Sequence, residues 1–364
     1  MRKKLVLIQF SRALVPLMVM LFHVSLTMND YFDFNVLGLW MLPMSGGVNY
    51  FFALSGFMIY YIYRKNLGQP DQLKNFLLNR FIRIYPLYWL LTLVLLPFLF
   101  IYPWYGAGHE TELESILTSF LLIPNSSELE PILIVAWSLR HTVFFYLMFS
   151  LLFVPKPIIS KSVLGLWAFV TISYAYGPLD LHHYWLHFIF DPVSLIFLGG
   201  ILCAYLITKI SVYPFISVLL SVIGLLGFPF MWVNSVYELV NIGYDTGISL
   251  ASVCLIFGLA SIDMVKDIKI PKFFNYLGNA AFSIYLSHII ILDFLAELFD
   301  KYSVYQKLGG WMTSCVLLVI MLIGGCLVHS YVEKPLIQKL KKVFIKKKTK
   351  TNKDPEIKLV AKEV

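Results

Sequence analysis

Long uninterrupted apolar runs alternate with short polar connectors almost to the end of the chain. A helix rises 1.5 Å per residue, so about 20 such residues cross the ~30 Å hydrocarbon layer of a bilayer. The pattern predicts spans at 5–28, 36–63, 84–102, 132–154, 162–178, 185–207, 212–233, 241–262, 274–298 and 309–331. A further apolar piece, Ile116–Ile123 before Pro124, is too short to cross and reads as re-entrant or interfacial. Aromatic residues gather near the ends of the runs: Tyr60, Tyr61 and Tyr63; Tyr85, Tyr88 and Trp89; Tyr102, Trp104 and Tyr105. That is where an aromatic belt at the membrane–water boundary is expected. The predicted fold class is an all-α integral membrane protein of about ten transmembrane helices. It forms one domain over 1–335, followed by a basic cytoplasmic tail, 336–364, expected to be disordered.

Charge adds orientation. Arg2, Lys3 and Lys4 precede the first run; Arg64, Lys65, Lys74, Arg80 and Arg83 follow the second. Lys156 and Lys161, then Lys209, then Lys266, Lys269 and Lys272 follow the fourth, sixth and eighth. The opposite connectors are poor in basic residues: Asn29–Asn35, the segment His109–Glu130 with Glu110, Glu112, Glu114, Glu128 and Glu130, and Leu179–Tyr184. The positive-inside rule therefore places both termini of this multi-pass chain in the cytoplasm.

Composition agrees and excludes a soluble class. Of 364 residues, 59% are hydrophobic and 14% charged, against about half and a quarter in soluble domains. The net charge of +8 comes largely from the lysines between Lys334 and Lys362. Beside a membrane these read as a lipid-surface and topology signal, so no nucleic-acid partner is expected. Cys203, Cys254, Cys315 and Cys326 lie in apolar runs without metal-ligand spacing, as small buried hydrophobes do, and no metal site is expected. Met1–Leu5 and the run after it begin like a signal peptide. The run is too long and lacks a small-residue cleavage site, so it is expected to stay as the first helix.

Ionisable groups at membrane depth are costly and therefore functional candidates. Arg12 and His23 share the first run. Eleven residues of helix leave them about 20° from one face and ~16 Å apart in height. Snorkelling of Arg12 and simple packing of His23 is the plainer alternative. In the second run Gly47, Ser55 and Gly56 are suited to close helix packing. Arg80-x-x-Arg83 puts two guanidinium groups on one helical face at the cytoplasmic boundary, an arrangement that suits a phosphorylated ligand or, more simply, lipid headgroups. Trp137-Ser138-Leu139-Arg140-His141 opens the fourth run with adjacent cation and imidazole. Asp191 lies at the outer end of the sixth, and Tyr285, Ser287 and His288 near the middle of the ninth. Polar groups on non-adjacent spans imply a shared polar chamber.

In chain order these elements resemble the membrane acyltransferase-3 family, integral-membrane O-acyltransferases that modify bacterial surface sugars. The resemblance is carried by Arg12 and His23, Gly47–Phe57 ending Leu54-Ser55-Gly56-Phe57, and Arg80-x-x-Arg83-Ile84-x-Pro86. It continues through Trp137–His141 with Phe145-Tyr146, Leu277-Gly278-x-x-x-Phe282-Ser283-Ile284-Tyr285-Leu286-Ser287-His288, and Tyr331-Val332-Glu333-Lys334-Pro335. It implies transfer of an acyl group, usually acetyl, from cytoplasmic acyl-CoA to a hydroxyl of an envelope glycan such as lipopolysaccharide or exopolysaccharide. The enzyme would be an acyltransferase for groups other than amino-acyl groups. Acyl-CoA would be a co-substrate, with no bound cofactor, and the other partners would be membrane lipid and the glycan. The resemblance makes Arg12 and His23 catalytic, with Arg140 and His141 beside them. Arg80 and Arg83 would bind the donor, and Ser55, Trp137, Asp191, Tyr285 and His288 would support the site. An imidazole would activate the hydroxyl or be transiently acylated, and an arginine would stabilise the oxyanion. The chain departs from the family pattern at Thr142, Asn49, Ile196 and Asn279, where acids are usual; Asp191 is the nearest candidate for a relocated acid. A glycan or lipid-intermediate exporter and a catalytically degenerate relative remain the other readings.

Overall fold

The computed structural model describes residues 3–125 and 129–344. Arg2, Glu128 and the tail beyond Phe344, which entered the topology argument, lie outside the described residues, as does the Trp104 side chain. Among those described, nine helical segments are long and apolar enough to cross a membrane. The tenth expected span, α2 (Gly47–Tyr63), has 17 residues, about 26 Å of helix, at the short end of spanning lengths. This is a multi-pass, all-helical membrane protein.

The chain packs as two compact units. The first holds the residues up to Leu54 together with Leu202–Lys334; the second holds Ser55–Ile201 and the segment from Pro335.

In the first unit α1 (Val6–Phe32) lies against α11 (Lys272–Lys301) and α13 (Gly310–Leu327), and α9 (Pro214–Tyr237) packs on α10 (Tyr244–Val265). Buried positions recur at helical spacing: Ala13, Met20, Val24 and Met28 on α1, Leu277, Ile284, Leu292 and Leu295 on α11, Leu317 and Met321 on α13. In lipid such packing depends on close approach rather than on water exclusion. Gly278 permits it: a Cβ there would lie 2.5 Å from Gln9 Nε2 and 2.7 Å from Gln9 O. Gln9 Nε2 in turn donates to Asn279 Oδ1 at 3.0 Å. The apolar Leu5 leaves the start of α1 without a cap of its own. Asp263, at the end of α10, supplies one, accepting the Leu7 amide at 2.8 Å and the Ile8 amide at 3.2 Å.

The second unit contains the rest of α2, α3 (Leu73–Ile101), α4 (Leu113–Leu121), α5 (Trp137–Ser150), α6 (Pro157–Tyr176), α7 (Tyr184–Ile189), α8 (Val193–Ile207) as far as Ile201, and α14 (Lys334–Phe344) from Pro335. The short α4 ends with carbonyls that need donors. Three side chains of α3 provide them. Tyr88 Oη donates to Ser119 O at 2.8 Å, Trp89 Nε1 to Phe120 O at 2.8 Å and Tyr85 Oη to Leu121 O at 3.0 Å. Rings expected to form an interfacial belt are thus protein-bound caps. At Gly56 a Cβ would fall 2.0 Å from the Phe197 carbonyl oxygen, so α2 and α8 touch backbone to backbone there.

Several expected boundaries shift. The second span was expected from residue 36, but residues 33–46 are turns around a short 3-10 segment, Leu39–Met41, and the helix starts at Gly47. Gly38 and Gly46, at φ +69° and +77°, and Pro43 break an otherwise apolar stretch. The third span was expected from residue 84, yet α3 begins at Leu73, so Arg80 and Arg83 stand on the helix rather than in a connector. The sixth breaks between α7 and α8, where the Asp191 carboxylate accepts the Val193 amide at 2.8 Å beside Pro192. The last span continues from α13 through a six-residue π-helical turn, Val328–Glu333, into α14. The tail expected to be disordered from residue 336 is therefore helical as far as Phe344.

Candidate functional site

The first unit brings together two imidazoles that lie 265 positions apart in the chain. The His23 ring on α1 faces the His288 ring on α11, centroids 5.1 Å apart. Phe22 meets His23 edge-on at 5.2 Å, and Tyr285, itself flanked by Phe51 at 6.1 Å, lies 5.8 Å from His288. His288 is wholly buried. Its Nδ1 is 2.6 Å from the Tyr285 carbonyl. A carbonyl only accepts, so Nδ1 carries the proton, and Nε2 of the neutral ring keeps its lone pair. That Nε2 is buried and has no hydrogen-bond partner in the protein. Arg12 is half-buried on α1, ~16 Å of helix rise from His23. Pro16 stands between them and has no N–H to offer the Arg12 carbonyl, which favours a bend in this stretch.

A second cluster in this unit was not foreseen. Glu333 is fully buried at the end of the π-helical turn. Its Oε2 accepts from Ser283 Oγ at 2.5 Å and lies 2.6 Å from His329 Nδ1. The Ser287 hydroxyl donates to the Ser283 carbonyl at 2.8 Å. Ser283 and Glu333 stand in two of the motifs that carry the family resemblance, and His329 lies four residues before Glu333, but nothing in the sequence linked the three.

In the second unit the adjacent Arg140 and His141 serve different partners. Arg140 is 7% exposed, and its Nη1 donates to the Leu129 carbonyl at 3.1 Å, while its buried Nε finds no acceptor. His141 lies against the Phe188 ring at 4.7 Å, with Trp137 edge-on at 6.1 Å. Its Nε2 is 3.9 Å from Asp191 Oδ2, an electrostatic contact longer than a hydrogen bond. Position 142 carries no acid, and the carboxylate near His141 is that of Asp191. The Thr142 hydroxyl itself donates back to the Ser138 carbonyl at 2.9 Å. Of the other departures, Asn49 and Ile196 are buried, Asn49 Nδ2 reaching Ser249 Oγ at 3.4 Å, whereas Asn279 is exposed and accepts from Gln9 Nε2.

Arg80 and Arg83 stand on α3, both half-buried. The Arg80 guanidinium lies over the faces of Tyr63 and Tyr146, at 5.7 and 5.6 Å. Its Nε and Nη2 are buried without a hydrogen-bond acceptor. Aromatic faces attract the cation but leave these donors unanswered. Ser55 is half-buried on α2, next to the tight Gly56 contact.

The fold and these groups define a multi-pass membrane protein with buried acid–base and cationic side chains. A model of the acyltransferase-3 family, described as an acyltransferase domain, matches residues 7–330. The chain belongs to that family and is a membrane acyltransferase. It is also similar to the exopolysaccharide production protein ExoZ of Rhizobium meliloti (strain 1021). The two are 25% identical over 339 residues, which cover 88% of this chain and 95% of that protein. No solved structure matches the chain.

Proposed function

We propose that this acyltransferase moves an acyl group, most simply acetyl, from cytoplasmic acyl-CoA to a hydroxyl of an envelope polysaccharide. The observation that carries the chemistry is the imidazole pair His23–His288, enclosed by aromatic rings, with His288 Nε2 unclaimed by the protein. A neutral imidazole nitrogen in a water-poor surround is a suitable general base. His23 takes the proton of the acceptor hydroxyl, and the oxygen attacks the thioester carbonyl carbon. The tetrahedral oxyanion collapses, the C–S bond breaks, and the leaving thiolate takes the proton back from the imidazolium. His288 packs against His23 and holds its ring in place. Arg12, ~16 Å of helix rise from His23, lies along the path of the donor's pantetheine arm rather than at the reacting carbon.

Arg80 and Arg83 hold the phosphates of the donor. The buried, unanswered donors of Arg80 support this role, since phosphate oxygens accept what tyrosine faces cannot. His141 and Asp191, with Arg140, form a second polar group that supports the reaction. The basic connectors support cytoplasmic termini, and membership of the acyltransferase-3 family supports a location in the bacterial inner membrane. The polysaccharide acceptor is favoured by the similarity to a protein of exopolysaccharide production.

The test uses the full chain in nanodiscs with isotopically labelled acetyl-CoA and envelope glycans from cells lacking the protein. Mass spectrometry is expected to find label as an O-acetyl ester on the polysaccharide fraction. Label absent from every glycan fraction, with acetyl-CoA unconsumed, overturns the reading.

A further inference from the structure

Arg140 is buried in the second unit with most of its hydrogen-bonding capacity unused. Its Nη1 donates to the Leu129 carbonyl at 3.1 Å, and its buried Nε has no acceptor. Among the described residues no carboxylate pairs with it: Glu130, next to Leu129, is exposed, and Asp191 faces His141. A buried guanidinium answered by one carbonyl is costly. Nor does α5 supply a compensating charge. It has no acid in its first turn and no side-chain cap, and the Thr142 hydroxyl is spent on the Ser138 carbonyl. The start of a helix adds positive partial charge of its own. The arginine is also held in place, because the connector it binds is pinned. The Ile132 amide donates to Ser119 Oγ at 3.1 Å, and His109 Nε2 to the Glu130 carbonyl at 3.1 Å. Aromatic rings lie alongside: the neighbouring His141 rests on Phe188 at 4.7 Å with Trp137 edge-on, and Trp185 of α7 is exposed. A fixed cation with an open donor edge suits a carboxylate, which takes two parallel N–H bonds. Rings beside it suit a sugar, with its apolar C–H faces.

We propose that Arg140 binds a carboxylate of the acceptor glycan, so that the acceptor is an acidic polysaccharide built with carboxylated sugars. This rests on the polysaccharide reading above and names the acceptor's chemistry. The charge bias assigns the 109–130 connector to the outer side, where such a glycan is met. The phosphates of the donor are also anions, and the test separates the two sources.

Full-length protein in nanodiscs of neutral phosphatidylcholine is assayed with labelled acetyl-CoA and the envelope polysaccharide of cells lacking the protein. The polysaccharide is used intact and after carbodiimide–borohydride reduction of its carboxyl groups to alcohols. Reduction is expected to raise the acceptor KM of the parent protein about tenfold or more, the loss of a charge-assisted pair. Arg140→Ala is expected to raise KM for the intact polymer by a similar factor, with kcat and coenzyme A affinity kept, and to lose nothing further on the reduced polymer. Arg140→Lys, which keeps the charge without the fork, should recover part of the loss. The reduction arm uses the unaltered protein, so it decides even where Arg140→Ala fails to fold. A reduced polymer accepted as well as the intact one, or label confined to a polysaccharide without carboxyl groups, overturns this inference and leaves polysaccharide acylation standing. A fall in kcat at unchanged KM puts Arg140 at the reacting atoms, and weakened coenzyme A binding puts it on the donor phosphates; either overturns the assignment. A parent protein that labels no polysaccharide overturns both readings.

Discussion

The two units each bury a histidine, and they answer it differently. In the first, His288 is met by a backbone carbonyl of its own helix and by another imidazole, His23. In the second, His141 is met by a carboxylate, Asp191. A carbonyl bonded to Nδ1 fixes the tautomer and leaves Nε2 as a lone pair, a state ready to accept a proton. A carboxylate 3.9 Å away instead gives His141 an acidic neighbour. Under the proposed function, proton abstraction belongs to the first unit and charge support to the second.

That assignment can be broken at either histidine. His288→Ala removes the partner of His23 and is expected to lower acyl transfer on the order of 10²-fold or more, with coenzyme A binding intact; transfer rates and calorimetry on one preparation check both. A rate loss smaller than that of Asp191→Asn would reverse the roles of the two units. Glu333→Ala is expected to cost about 3 kcal/mol of stability, read from thermal melting in detergent, because a buried histidine and serine lose their shared acceptor. Glu333→Gln, which keeps the shape and one acceptor oxygen, should lose less. Asp191→Asn is expected to slow transfer about tenfold, a loss of roughly 1.4 kcal/mol, with melting unchanged. Smallest of all, Tyr88→Phe removes one cap from α4 and should cost about 1 kcal/mol.

Much of the architecture was legible because lipid demands long apolar helices, and their order and approximate centres follow from the runs themselves. What misled was chemistry that apolar runs conceal. Val36–Met44 is apolar enough to read as membrane, yet Gly38 and Pro43 turn it into a connector. Tyr85, Tyr88 and Trp89 look like lipid anchors until the carbonyls they cap are seen. Of the site, Arg12, His23, Arg80, Arg140, His141, Asp191 and His288 were identifiable singly, because a charged or imidazole group at membrane depth is conspicuous. Apart from Asp191, named as a candidate acid near His141, their partners were not. The bond from Ser283 to Glu333 spans 50 residues and depends on a π-helical turn that no periodicity announces.

The central claim is that His23 takes the proton of the acceptor hydroxyl, and His23→Ala tests it most directly. The protein is expected to fold, insert and bind coenzyme A as the parent does, yet to place no acetyl label on the glycan. Labelled glycan at the parent's rate would contradict the account.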